Sequence, residues 1–146
     1  MSNYEAVLNF ERYFVEEMNY VQNELFSFDD ELETLNVEFD IAANIRIYSE
    51  NKESVTLTVE CGNLQKSDCP FFLRVQITGI YSFAGNNEDI EDFLKQSGVA
   101  ILFPYARSLV SDLTGRSNLF PQYNLPLINV PMMLEKNDKI SIEYID

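Results

Sequence analysis

Histidine is absent from the 146-residue chain. That absence removes imidazole bases, Ser-His-Asp and Cys-His nucleophiles, and every His-ligated metal. The five glycines are isolated, so no GxGxxG or GxxxxGK loop exists to cradle a phosphate. The two cysteines, Cys61 and Cys69, form neither a CxxC redox motif nor a zinc-ligand pair of usual spacing. Cations are scarce: ten Lys and Arg stand against 24 Asp and Glu, a net charge of -14. Such a field repels phosphate backbones and excludes nucleic acid as a partner. The longest charge-free apolar run, Gly98 to Ala106, falls well short of the ~20 residues a bilayer requires, so no membrane insertion is expected. Met1 to Ala6 lacks a basic start followed by an apolar stretch, which predicts a cytoplasmic protein without a secretory leader.

What is present is ordinary globular material, 46% hydrophobic and 23% charged, of a length that suits a single domain over residues 1–146. Apolar residues alternate from Leu35 through Ile47, again from Val55 to Cys61, and again from Phe71 to Phe83. The spacing predicts three strands, the first two joined by a turn at Asn51-Lys52-Glu53, forming an antiparallel meander. The segment from Ala6 to Tyr20 alternates less cleanly, because Arg12 and Glu16 fall on its apolar face. Gln22 to Thr34 reads as an acidic crossing loop with apolar anchors, and residues 1–40 carry 11 acids against one Arg.

Beyond Gly85 the period changes. A short helix is expected to end near Gly98. A longer amphipathic one follows, with Val99, Leu102, Phe103, Ala106, Leu109, Val110 and Leu113 on its apolar side, closed by Gly115. Pro104 fits its first turn, and would kink a helix that begins earlier. A Pro-punctuated apolar loop runs from Leu119 to Leu134, and Ile140, Ile142 and Tyr144 alternate as a last strand.

Catalytic chemistry is hard to assemble from these parts. Glu88, Asp89, Glu91 and Asp92 could hold a divalent ion, yet an acid-rich helix N-terminus explains them and no calcium-loop spacing is present. The expectation is therefore no enzyme and no cofactor. The surplus lies in apolar surface: 11 Phe, 8 Tyr and the 119–134 segment in so small a body. That surplus either forms an interaction surface or covers a sheet edge, and composition leaves the two equal.

The run Ile101-Leu102-Phe103-Pro104-Tyr105-Ala106-Arg107, then Gly115, Phe120-Pro121 and Asn124-Leu125-Pro126-Leu127-Ile128-Asn129, resembles the protein-export chaperone family SecB. Val75 to Gly85 is similar to that family's third strand, so the recognisable block spans about residues 71–130. The resemblance implies an α+β fold, a four-stranded antiparallel sheet with helices packed on one face. It also implies assembly as a dimer or dimer of dimers, and binding of unfolded or preprotein clients in hydrophobic grooves without nucleotide.

By motif position the implied client contacts are Phe26, Phe28, Tyr105, Phe120, Pro121, Tyr123, Leu125, Leu127 and Ile128, with Leu125 and Phe103 also read as core. Ile101 and Tyr105 lie off the long helix's main stripe and are expected to face another subunit. Glu17, where the family's first strand carries an acid, becomes a partner-docking candidate. The chain departs from the family after Asn129: Val130-Pro131, a polar turn and a strand-like end stand where a second long helix and an acidic tail belong. This departure argues against handover to the motor SecA, and it is similar to short SecB-like proteins of Gram-positive bacteria.

Overall fold

The computed structural model describes residues 7–26, 37–49 and 51–145. Phe28, the acidic run Asp29 to Glu31 and the expected strand start at Leu35 lie outside the described residues. Nine segments follow in order: β1 (Leu8–Gln22), β2 (Phe39–Tyr48), β3 (Lys52–Gly62), β4 (Phe71–Phe83), α1 (Ile90–Phe93), a π turn (Leu94–Gly98), α2 (Val99–Gly115), α3 (Val130–Lys136) and β5 (Ile140–Ile145).

The alternation in β2, β3 and β4 produces the expected meander. Val59 stands between Ile41 and Val75, and Leu57 between Ala43 and Ile77, so each strand turns its apolar set to the same side. These side chains are buried, and Leu94, Val99, Leu102, Phe103, Ala106 and Val110 cover them. Asn51 makes the β2–β3 turn at φ 62°, a left-handed position that asparagine tolerates, while Lys52 and Glu53 are already inside β3 rather than in the turn.

Three expectations are corrected. The sheet has five strands rather than four, in the order β1-β4-β3-β2-β5, because the C-terminal alternation pairs parallel to β2, with Ile142 beside Ile45. Gly98 does not end a helix: α1, the π turn and α2 run on continuously, and Pro104 sits inside α2. Without a side chain, Gly98 brings the helix close to the sheet. A Cβ there would lie 3.2 Å from Val55 Cγ2, and its carbonyl accepts the Tyr81 hydroxyl at 2.6 Å. The stretch before β5 is also not all loop. Asn129 caps α3 by accepting the Met132 N–H at 3.1 Å, with Pro131 in the first turn, where its missing N–H costs nothing.

β1 explains its own uneven pattern. Its register against β4 shifts between Phe10 and Arg12 and again between Val15 and Glu17, so two extra residues reset the parity. After each shift the apolar side returns to the helix side, and Arg12 and Glu17 take the outer face.

Both cysteines are free and buried. Burial pushes the Cys61 thiol up to about 12, with the Cys69 sulfur adding to it. The Cys69 sulfur accepts from Asn63 N at 3.3 Å and lies 3.3 Å from the Phe71 carbonyl. Among the described residues no helix is long and apolar enough to cross a membrane.

Candidate functional site

α2 packs over β3 and β4 and leaves the middle of the helix-side face of β1, from Tyr13 to Met18, partly exposed. On that face Tyr13, Val15 and Met18 stand in register with Gly79, Ile77 and Val75, and Met18 is 56% exposed. Together they form an apolar trough between the edge strand and the helix. Tyr105, half-exposed on α2, closes one end: its ring stacks on Tyr13 at 4.3 Å and lies 5.9 Å from Phe10. Ile101 and Leu109 continue its stripe along the helix at four-residue spacing, and both are half-buried.

The other end is a second aromatic cluster. Phe71 is fully buried and stacks with Tyr20 and with Phe120, each at 5.7 Å, while Tyr123 lies 6.2 Å away. The segment that carries Phe120 and Tyr123 is tied to α2 by polar bonds. Thr114 Oγ1 accepts from Tyr123 N at 2.8 Å, and Arg107 Nε donates to the Leu125 carbonyl at 2.7 Å. Ser111 Oγ and Asn124 Oδ1 lie 2.6 Å apart. Burial raises the Tyr20 and Tyr123 hydroxyls above their usual range, and Ser117 bonds to Tyr20, which pulls it partly back.

Asn23 fixes the point where β1 ends and the crossing loop starts. It is 3% exposed, and its Nδ2 donates to the carbonyls of Cys69 at 2.7 Å and Lys66 at 2.9 Å, with Asn63 O at 3.4 Å. Its Oδ1 accepts from Leu25 N at 3.0 Å, and Phe26 N donates to its backbone carbonyl at 3.1 Å. This one side chain therefore joins the loop before β4 to the loop after β1.

The client contacts implied by the motif are thus divided. Tyr105 stands at one end of the trough and Phe120 and Tyr123 at the other, with Phe26 half-buried beside Asn23. Pro121 is exposed beside Phe120. Leu125 is fully buried and belongs to the core. Leu127, 84% exposed, and Ile128 lie away from the trough, where Ile128 lines a separate hollow of about 410 Å³ with Ala100, Phe103 and Pro104. Glu17 is on the opposite face of the sheet, 3.1 Å from Arg74, which also binds Glu60 at 2.8 Å. Tyr105, expected to face another subunit, already has partners inside its own. The residues of β1 that floor the trough were missed in the sequence: their alternation was visible, but the bulges hid which parity faced inward. Among the described residues no three acidic or sulfur side chains are grouped for a metal ion, and Glu91 instead accepts the Tyr144 hydroxyl at 2.9 Å.

The family model described as preprotein translocase subunit SecB matches residues 2–139. The chain belongs to the SecB family. With that membership comes a chaperone-like role. SecB relatives include the protein-export protein SecB of Acidithiobacillus ferrooxidans, 31% identical with 87% of each chain covered. That of Actinobacillus succinogenes is 29% identical over 86% of this chain and 76% of the relative. An uncharacterized protein of Methanocaldococcus jannaschii is 30% identical over 94% and 89%. The SecB-like chaperone of Mycobacterium tuberculosis, solved with a ChAD peptide from the HigA1 antitoxin, shares the fold at a TM-score of 0.68 and 14% identity, covering 83% of this chain and 90% of that one.

Proposed function

We propose that this SecB-family chain is a cytoplasmic, ATP-independent holdase that keeps unfolded polypeptides or preproteins in an extended state along the β1–α2 trough. The observation that carries the reading is the apolar floor left open between two aromatic clusters. An extended client can place alternate side chains on such a floor, each buried anchor contributing about 1.5–3 kcal/mol. The fixed hydrogen bonds of the 120–125 segment hold the Phe120 and Tyr123 rings as a preformed wall, which lowers the ordering cost of binding. No bond is made or broken, and no enzymatic step is assigned. The acidic surface keeps loaded complexes soluble.

Met18→Glu tests the reading. Met18 is exposed, so the fold should survive, and a charge on the floor should cut suppression of aggregation of a denatured client at least about tenfold. Wild-type protein that fails to suppress light scattering in excess over client would overturn the holdase. A second reading has one specific support, the antitoxin peptide held by the M. tuberculosis relative: the same groove serving one dedicated partner. Capture from lysate separates the two, since a generalist returns many chains and a dedicated module one.

Assembly as a dimer or dimer of dimers belongs to the same proposal, with Ile101 and the free side of Tyr105 at the contact. Sedimentation velocity at micromolar concentration should give a mass at least twice 16.9 kDa. A monomer would remove this part. Docking on SecA through Glu17 stays outside the reading, because the Arg74 guanidinium already holds that charge.

A further inference from the structure

A pocket of about 390 Å³ opens on the face of the sheet opposite α2, away from the trough. Its place follows from register. Arg12, Ile80, Ser54 and Arg46 form one row across β1, β4, β3 and β2, and Phe14, Thr78 and Thr56 form the next. Ile80, Ser54 and Arg46 have the parity opposite to the buried Ile77, Val55 and Ile45, so both rows point away from α2. Phe14 and Tyr48, both exposed, and Ile80 give the pocket apolar walls. Its volume lies at the low end of the roughly 300–1,000 Å³ usual for small-molecule sites, which suits one compact apolar body.

The hydroxyls of Ser54, Thr56 and Thr78 form its polar ground. Thr78 donates to Glu16 Oε1 at 2.9 Å, and with that proton committed it accepts from Thr56 at 2.8 Å. Both threonine protons are thereby used. The Ser54 hydroxyl makes no hydrogen bond among the described residues and keeps its proton for a ligand. Glu53 borders the pocket as well, but it has the parity of Val55 and Leu57 and stands in register with Ile47 and Tyr81, so its carboxylate lies on the helix side and stays out of this site.

Cations gather here although the chain carries a net charge of -14. Lys52 lines the pocket, and Arg12 stands at its rim with its guanidinium carbon 5.7 Å from the centre of the Phe14 ring. Neither makes an ion pair among the described residues. Arg46 lines the pocket too, and its Nε is paired with Glu143 at 3.4 Å. Against these cations Glu16 is the one acid directed into the pocket, and Thr78 already holds one of its oxygens. An ammonium, a guanidinium and a hydroxyl, all with protons to give, are matched by a carboxylate. A doubly charged phosphate is disfavoured by Glu16 and by the negative field of the whole chain, and it has no use for the rings.

We propose that this outer-face pocket is a second binding site, for a single carboxylate on a compact aromatic or aliphatic body, with Lys52, Arg12 and the Ser54 hydroxyl receiving the anion and Phe14, Tyr48 and Ile80 the body. Covering the exposed rings supplies the affinity, and the cations select the charge. The site is on the other face of the sheet from the client trough, and neither proposal depends on the other.

Titration of the full chain with hydrocinnamate, followed by ligand-observed NMR, tests the site. Saturable binding at least about fivefold tighter than that of hydrocinnamamide or phenethylamine, which keep the ring and lack the anion, is the expected result. Lys52→Met combined with Arg12→Gln should weaken hydrocinnamate about tenfold, and Phe14→Ala at least about fivefold. All three side chains are exposed, so the fold should survive these changes. Lys136→Met removes an equal charge on α3 and should leave binding unchanged. Acetyl-Gly-Phe with a free C-terminus forms the second arm: binding that competes with hydrocinnamate assigns the site to the end of a polypeptide, and failure to bind assigns it to a free small carboxylate. No binding of either at about 10 mM, equal binding of hydrocinnamamide or phenethylamine, or equal binding by wild type and the double variant overturns the proposal.

Discussion

Gly62→Ala should cost at least about 3 kcal/mol of stability and take client binding with it. Gly62 closes β3 at φ +92°, a conformation that side chains rarely adopt, and a Cβ there would come 1.9 Å from the Phe71 carbonyl oxygen. That neighbour is backbone and cannot swing aside, so the β3–β4 connection must move, and Phe71 with it. Phe71 is the ring on which Tyr20 and Phe120 stack. Gly98→Ala is the internal control. Its Cβ would make one tight contact, with the Val55 side chain at 3.2 Å, and ordinary contact with Leu94 from 3.6 Å, and alanine is the better helix former by about 1 kcal/mol, so the two effects should nearly cancel. Urea midpoints of the two variants should therefore separate widely. Equal midpoints would show that the loop yields more easily than its geometry implies.

Asn23→Ala is expected to cost about 3–4 kcal/mol, the sum of two short bonds to backbone carbonyls, a third longer one, and the bond from Leu25 N. The Cys69 carbonyl is buried, so losing its donor leaves an orphan acceptor that water reaches poorly. The damage should be local. Hydrogen exchange should rise in residues 62–70 and around Leu25 while β2 and α2 keep their protection. Uniform loss of protection across the sheet would mean that Asn23 supports the whole fold rather than the groove end.

The parts of the fold that were legible in the sequence are those set by side-chain period. In β2, β3 and β4 every second residue is apolar because one face meets α2 and the other meets water, and that demand is written residue by residue. The long helix was legible for the same reason. Pairing partners were not: Ile140, Ile142 and Tyr144 announce a strand, but alternation carries no direction and no neighbour, so the parallel union with β2 needed the three-dimensional fold. The π turn was invisible too, since Gly98 carries the usual signal of a helix end and its actual role, close approach to Val55, is a tertiary contact. α3 did leave a signal in Asn129-Val130-Pro131, a capping residue with proline in the first turn.

The candidate site was half legible. The motif around Tyr105, Phe120 and Tyr123 pointed to one wall, but the floor on β1 was obscured by two bulges that each shift the parity by one. Asn23 carried no periodic signal at all: a polar residue in a loop has no pattern to betray that it is buried and fully bonded. Leu125 and Leu127, two positions apart in the same motif, proved opposite in fate, one sealed in the core and the other almost wholly in solvent.

The two sealed sulfurs have a practical consequence. Cys61 lies opposite Leu73 and Cys69 two residues before Phe71, both at the aromatic end of the trough. An alkylating reagent can attack them only while that end is momentarily open. The rate at which the native protein loses thiol titre is thus a built-in clock for breathing of the groove, and a client that clamps the aromatic cluster would slow it without any label being added.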